Sequence, residues 1–121
     1  NAEGEWKKIA ELNTYLRAGL AKLREVVMNS SEDALPYVLN LSAGRVKAQT
    51  MLNFLSEHNI DVSSGSACAK GAKSHVLTAL GFSPMRINSA LRVSFCRYNT
   101  KEDCDPFLTV LTTGLATLQK T

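Results

Sequence analysis

The sequence predicts an α/β domain, a compact two-layer sandwich in which a small, roughly three-stranded sheet is covered by helices. Three observations favour this class. Apolar residues recur every three or four positions in several segments, at least two other segments alternate apolar and polar residues, and the two kinds of segment alternate along the chain. A length of 121 residues is enough for one such domain.

The first two elements are predicted to be an amphipathic helix and a strand. EWKKIAELNTYLRAGLAKLRE has apolar residues at helical spacing with charged residues on its other side, and NSSED follows as a polar turn. In LPYVLNLS, Leu39 and Leu41 fall on one face, whereas Asn40 and Ser42 fall on the other. That period predicts a strand beginning after Pro36.

A second helix and a short strand follow. Gly44 ends the first strand, helical spacing returns from 45 to 58, and Asn59 is expected to form a left-handed cap. The segment IDVSS then predicts a short strand that leads into SSGSACAKG.

The remaining segments predict a short helix, a loop, a strand and a last helix. Ser74 is the candidate N-cap of HVLTAL, FSPMRINS is assigned to a connecting loop, and ALRVSFC alternates as a strand. The last helix has one candidate start at Thr100 with Asp103 and another at Asp105 before Pro106. We therefore expect a kinked or two-step beginning.

Composition argues against several classes of protein. The net charge of +3 is mild and the basic residues are scattered, so nucleic-acid binding is not favoured, and no apolar run is long enough to span a membrane. Three widely spaced cysteines (Cys68, Cys96 and Cys104) without a CxxC pair argue against a zinc site or a disulfide framework and favour a reducing, cytoplasmic setting. Because the chain begins NAEG, it is expected to be a piece of a longer protein.

Cys68 is the first candidate for chemistry. It lies among small residues that allow access and backbone freedom, with Lys70 and Lys73 close behind and Arg86 as a further candidate neighbour. Nearby cations favour the thiolate, which is the nucleophilic form. A small apolar residue filling a turn is the alternative, and local sequence leaves both interpretations open.

Arg92 is the second candidate, because an arginine within an otherwise apolar strand requires a partner. A substrate carboxylate would satisfy it through two parallel hydrogen bonds, but a structural ion pair or an exposed edge position would also explain it. Asn40 is similarly open between a ligand contact and a backbone contact. Packing is favoured for Cys96 and Cys104, and a surface or cap position for His75.

In chain order, YVLNLS, VKAQTMLNFL, IDVSSGSAC, SHVLTALG and ALRVSFCRYNTKED resemble the C-terminal small domain of NifS-like cysteine desulfurases, in the class V aminotransferase group. The resemblance runs from about Trp6 to Leu118. SSGSAC is its most specific part, and LRVSFCRYNTKED matches the segment with the family's substrate-carboxylate arginine. It implies the small-domain fold of fold-type I pyridoxal phosphate enzymes and assigns residues 1–121 to that one domain.

The resemblance also implies a reaction. Cys68 would attack the sulfur of pyridoxal phosphate-bound L-cysteine, giving alanine and a persulfide for a sulfur-acceptor protein, as in iron–sulfur cluster biogenesis. Arg92 would bind the substrate carboxylate. No cofactor-binding residue or metal ligand is assigned in this chain, because the family holds the cofactor in a preceding large domain; the chain alone is expected to be inactive. The full-length enzyme is expected to be a homodimer that binds neither nucleic acid nor membrane.

Two alternatives remain at this point. The first is a related class V lyase or aminotransferase, for example a selenocysteine lyase. The second is a stand-alone persulfide carrier or redox thiol domain.

Overall fold

The computed structural model describes residues 2–30, 36–65, 81–95 and 99–120. Within them the helices are α1 (Ala2–Leu20), α2 (Ala48–Glu57), α3 (Pro84–Asn88) and α4 (Lys101–Thr117). The strands are β1 (Val26–Met28), β2 (Val38–Ala43), β3 (Ser63–Ser64) and β4 (Ala90–Ser94).

The four strands form one antiparallel sheet in the order β1–β2–β4–β3. At its centre β2 pairs with β4, so that Leu41 lies opposite Leu91 and Asn40 lies opposite Arg92. On the other side of β4, Ser63 of β3 is also opposite Arg92. Since directly paired residues share a face, Asn40, Arg92 and Ser63 form one row across three strands.

One face of the sheet packs against the long helices and forms the core. The apolar residues of β2 and β4 meet the apolar stripes of α1, α2 and α4 in a single buried cluster. Its largest fully buried members are Leu16, Leu20, Leu39, Leu41, Met51, Leu55, Leu91 and Leu111. The predicted α/β class, the helical periods and the alternation in the strands are confirmed.

The sheet has one more strand than predicted. The first helix ends at Leu20 rather than continuing through the segment AKLRE, and β1 follows a short turn. In β1 the residues alternate, with Val27 exposed and Met28 partly buried against the core. The second predicted strand, IDVSS, is also shorter than expected, because only Ser63–Ser64 pairs with β4.

The assignment of FSPMRINS to a loop is wrong, because its centre forms the helix α3. The Ser83 hydroxyl accepts a hydrogen bond from the backbone N–H of Arg86 at 3.2 Å, and Pro84 occupies the first turn. Proline at this position loses no helical hydrogen bond, since the first N–H groups of a helix have no intrahelical acceptor. A Ser-Pro pair was therefore a helix start that the pattern of apolar residues did not reveal.

The last helix begins once, at the first of its two predicted starts. Thr100 and Asp103 form a capping box, in which the Thr100 N–H donates to the Asp103 carboxylate at 2.8 Å. The predicted second start at Asp105 is wrong: Pro106 lies inside a helix that runs without interruption over Lys101–Thr117.

Two predicted turns are confirmed by the backbone. Asn59 has a φ of 64°, the left-handed value of a helix cap, and Gly44 has a φ of 63° where the chain leaves β2. The predicted cap at Ser74 and the helix HVLTAL lie outside the described residues. In the part of the chain that the structure describes, no helix combines the length and the apolar character that crossing a bilayer requires.

Candidate functional site

The face of the sheet opposite the core carries the polar side chains of the strands. Asn40, Arg92 and Ser63 lie side by side on it, and the side chains of Arg92 and Ser63 are exposed. The residues that alternate with them, such as Leu39 and Leu91, are completely buried on the other side. On this face, the exposed side chains of Arg92 and Ser63 are therefore available to a ligand.

Arg92 lies at the centre of this row. Among the described residues, none forms a hydrogen bond or an ion pair with its guanidinium group. A structural ion pair with one of those residues therefore does not explain why an arginine stands in this strand. Its N–H donors are in the planar arrangement that matches a carboxylate through two parallel hydrogen bonds.

Beside Arg92, the face carries a chain of hydrogen bonds that ends at Gly65. Arg86 Nε donates to Asn29 Oδ1 at 2.7 Å, Asn29 Nδ2 donates to Asn40 Oδ1 at 2.9 Å, and Asn40 Nδ2 donates to the Gly65 carbonyl at 3.0 Å. Of the two interpretations that the sequence allows for Asn40, the structure has the backbone contact.

Arg86 is held at the other end of this chain by three further contacts. Its Nη2 donates to the Met28 carbonyl at 3.1 Å, its guanidinium lies 3.5 Å from the centroid of the Phe82 ring, and its own carbonyl accepts a hydrogen bond from Ser42 Oγ at 2.5 Å. From the sequence, Arg86 is only a candidate neighbour of Cys68, and Asn29 is only part of a polar turn. Neighbouring residues in the sequence could not predict the contact, because 57 positions separate Arg86 from Asn29.

Gly65 sits where the backbone approaches the sheet closely. Its N–H donates to the Ala90 carbonyl at 2.8 Å, so both its polar backbone groups are bonded. A Cβ at this position would lie 2.8 Å from Asn40 Nδ2 and 3.0 Å from the backbone carbon of Ala90. Any other residue at this position would require the Asn40 amide to move and the Ala90 backbone to give by a few tenths of an ångström.

Most of the other candidate residues cannot be placed. Cys68 follows Gly65 by three positions in the sequence, and it lies outside the described residues with Lys70 and Lys73. The same holds for His75 and Cys96. The structure therefore brings Arg92 together with Asn40 and the beginning of SSGSACAKG, and it leaves the position of the Cys68 thiol a prediction.

Cys104 is placed, and it is a core residue as predicted. It is 5% exposed, and it forms no disulfide. Burial raises the pKa of its thiol, and the neighbouring carboxylates of Asp103 and Asp105 raise it further. A thiol with a raised pKa in the core is a poor nucleophile at neutral pH.

The described residues do not fit a site for pyridoxal phosphate or a metal. The cofactor requires a lysine amine within an enclosed pocket. All six described lysines are exposed: Lys7, Lys8, Lys22, Lys47, Lys101 and Lys120. In the same part of the chain, no three His, Cys, Asp or Glu side chains are grouped so that they could hold a metal ion.

Comparison with known proteins identifies the family. Residues 1–107 match the family model described as aminotransferase class-V. The chain is 34% identical over 119 residues to the cysteine desulfurase IscS of Methylococcus capsulatus, which covers 96% of this chain and 29% of that protein. It is 36% identical over 104 residues to cysteine desulfurase IscS of Azotobacter vinelandii, which covers 84% of this chain and 25% of that protein.

A solved structure has the same fold. The NifS-like protein from Rickettsia africae superimposes with a TM-score of 0.82 and 30% sequence identity, over 94% of this chain and 30% of that one. The chain thus spans between a quarter and a third of the length of these three relatives.

Proposed function

The chain belongs to the class-V aminotransferase family, and from this premise we propose that residues 1–121 are the C-terminal small domain of a cysteine desulfurase. The whole protein then converts L-cysteine to alanine and transfers the sulfur to Cys68. The C–S bond of the substrate breaks and an S–S bond forms, so one thiol becomes a persulfide and the carbon takes up a proton. The observation that carries the proposal is the 34% identity over 119 residues to a cysteine desulfurase.

In this proposal Arg92 binds the carboxylate of the substrate. Three properties support this role: the side chain is exposed, it lies in a row of polar residues, and among the described residues it has no partner. A bidentate pair with a carboxylate would supply both charge and orientation. Orientation matters because the substrate sulfur has to point toward the attacking thiol.

Cys68 is proposed as the nucleophile that takes up the sulfur and hands it to an acceptor protein. Support comes from the small residues that surround it in the sequence and from the lysines that follow it. Pyridoxal phosphate, held by residues outside the described part of this chain, would supply the electron sink for the reaction. We further propose that the whole protein is a homodimer in the reducing cytoplasm, where a thiol of this kind stays reduced.

The test is to express the full-length protein and measure alanine formation from L-cysteine together with the mass added to Cys68. We expect one added sulfur on the peptide that contains Cys68, and we expect Cys68→Ser to abolish both the added mass and turnover while pyridoxal phosphate absorbance is retained. Cys104→Ala is the matched control. Because Cys104 is buried, we expect its substitution to leave turnover intact. Undiminished alanine formation by Cys68→Ser would contradict the nucleophile.

A second experiment addresses Arg92. We expect Arg92→Ala to raise the KM for L-cysteine about tenfold or more, because a charge-assisted hydrogen-bond pair is lost. Arg24→Ala, at an exposed arginine outside the sheet, is the control and should leave KM unchanged. Equal KM values for Arg92→Ala and the parent protein would exclude a carboxylate contact.

The choice of substrate separates this proposal from its alternatives. Turnover of selenocysteine in preference to cysteine would assign the protein to a related lyase. Persulfide uptake by Cys68 from a small-molecule sulfur donor, without alanine formation by the full-length protein, would assign it to a sulfur carrier.

A further inference from the structure

We propose that Arg86, Asn29 and Asn40 are positioning residues, which fix the backbone at Gly65 and thereby limit where the Cys68 thiol can go. The inference rests on the proposed function, because it takes Cys68 as the nucleophile. None of the three side chains has to touch the substrate. Their role follows from their hydrogen bonds, which run from Arg86 through Asn29 to Asn40 and end at the Gly65 carbonyl.

All three hydrogen bonds run from donor to acceptor in the same direction, and Arg86 determines that direction. A guanidinium group only donates, so Asn29 must present its carbonyl oxygen to Arg86 Nε and its amide nitrogen to Asn40. Asn40 consequently presents its oxygen to Asn29, and only its amide nitrogen remains for Gly65. The orientation of each amide is thus determined by the cation at the beginning, and the last group of the chain is a donor aimed at a carbonyl.

The Asn29 amide is also held from the side. Its nitrogen donates to Ser42 Oγ at 2.8 Å, and Ser42 donates in turn to the Arg86 carbonyl. The backbone of Asn40 is fixed as well, because its N–H donates to Ser30 Oγ and its carbonyl accepts from the N–H groups of both Asn29 and Ser30. Asn40 therefore has little freedom to follow Gly65 if Gly65 moves.

Gly65 is clamped from two strands. Asn40 of β2 donates to its carbonyl, and the Ala90 carbonyl of β4 accepts from its N–H. Cys68 is three residues further along the chain, and three residues span at most about 11 Å. The covalent chain therefore allows Cys68 to lie no further than about 11 Å from Gly65, so the proposed anchoring of Gly65 would set the point from which this reach is counted.

Gly65 lies next to Arg92, the proposed binding site of the substrate carboxylate. Ser63, two residues before Gly65, is paired with Arg92, and Asn40 is paired with Arg92 from the other side. One residue, Asn40, thus connects the strand that carries Arg92 with the segment that carries Cys68. The arrangement would hold the nucleophile within reach of a substrate whose carboxylate is bound at Arg92.

The decisive variant is Asn29→Asp in the full-length protein. The new carboxylate still accepts from Arg86, as a stronger charge-assisted bond, but it cannot donate to Asn40. The Asn40 amide would have to turn its nitrogen toward residue 29, which points its oxygen at the Gly65 carbonyl. We expect kcat for L-cysteine to fall about fivefold, the loss of one such hydrogen bond, with KM changed less than about twofold.

A second readout does not depend on turnover. Hydrogen exchange at the Gly65 amide, followed by mass spectrometry in the same full-length protein, should become about fivefold faster in Asn29→Asp. Asn40→Ala, which removes the last donor, should give the same pattern. The control is Asn53→Asp, the same chemical change at an exposed helix position whose Oδ1 accepts from Gln49 Nε2, and it should alter neither quantity.

A merely structural network predicts the opposite pattern. The strengthened Arg86 pair would then leave Asn29→Asp as stable as the parent, with unchanged kcat and unchanged exchange at Gly65, and this result in both variants would overturn the inference. A rise in KM at constant kcat would also overturn it. If the parent protein forms no alanine, the proposed function fails, and the exchange measurement alone decides whether the network anchors Gly65.

Discussion

The two faces of the sheet are built from the same strands, and they differ in almost every physical respect. Leu91 is completely buried under the helices, whereas its neighbour Arg92 is exposed on the opposite face. In β2 the buried Leu39 alternates in the same way with Asn40, whose polar groups are bonded to Asn29 and Gly65. Burial of apolar side chains stabilises the core face. On the polar face, the donor-to-acceptor direction of the hydrogen bonds fixes the side chains.

This difference shows how a small domain separates stability from chemistry. Because side chains of a strand alternate, one residue can contribute to the core while the next is available to a ligand. The separation depends on register, since a slip by one position would bury Arg92 and expose Leu91. Substitutions on the two faces should therefore have effects of different kinds and sizes.

The largest loss of stability is expected on the core face, from Leu91→Ala. The leucine has no exposed surface, so its truncation removes buried methyl groups and leaves a cavity. We expect the free energy of unfolding, measured with urea, to fall by about 3 kcal/mol. A loss of less than about 1 kcal/mol would mean that this face does not carry the core.

The second effect concerns the reactivity of Cys104. Its raised pKa lowers the fraction of thiolate at a given pH, and burial of the side chain limits access to the sulfur. Iodoacetamide should therefore modify Cys104 more slowly in the folded protein than in urea at the same pH. Equal rates in both states, measured on the Cys104 peptide, would place this thiol outside the core.

A raised thiol pKa has a matching consequence for stability. The unfolded chain loses the Cys104 proton at a lower pH than the folded chain does. The contribution to stability is therefore complete below the ordinary thiol pKa and is lost as the pH rises through the folded value.

An intermediate effect is expected at the buried end of the polar face, from Ser42→Ala. The Ser42 hydroxyl accepts from Asn29 and donates to the Arg86 carbonyl, and it is 2% exposed. Its removal deprives the Asn29 amide and the Arg86 carbonyl of one hydrogen-bond partner each, so the free energy of unfolding should fall by about 1 kcal/mol. Ser56→Ala, at an exposed position of α2, is the control for the same substitution. Similar losses for both variants would mean that the network adds nothing to stability.

The smallest loss of stability is expected for Arg92→Ala, although it should impair activity most on this face. An exposed side chain without a described partner contributes little to folding, so the free energy of unfolding should stay within about 0.5 kcal/mol of the parent value. Comparison with Leu91→Ala under the same conditions makes the contrast sharp. A loss above about 1.5 kcal/mol would show that Arg92 is structural after all.

Local patterns predicted the long elements well. The helical period of α1 and the alternation in β2 and β4 extend over enough residues to be read without the rest of the fold. The caps at Thr100 and Asn59 were also predictable, since each is a contact or a backbone angle within a few residues.

Short elements and long-range contacts were not predictable in this way. β1 has three residues and α3 has five, which is too few to establish a period. The pairing of β1 with β2 and the contact between Arg86 and Asn29 depend on where the folded chain brings distant segments. The row formed by Asn40, Arg92 and Ser63 became visible only once the register of the three strands was known.

The hydrogen bond from the Gly65 N–H to the Ala90 carbonyl has a consequence for how such domains can diversify. This bond continues the pairing of β3 with β4 by one residue beyond Ser64, so the two strands are held together up to the point where the chain leaves β3. A change in the length of the chain after Gly65 would therefore leave the pairs that hold Ser63 beside Arg92 as they are, so the segment that contains Cys68 can diversify separately from the strands.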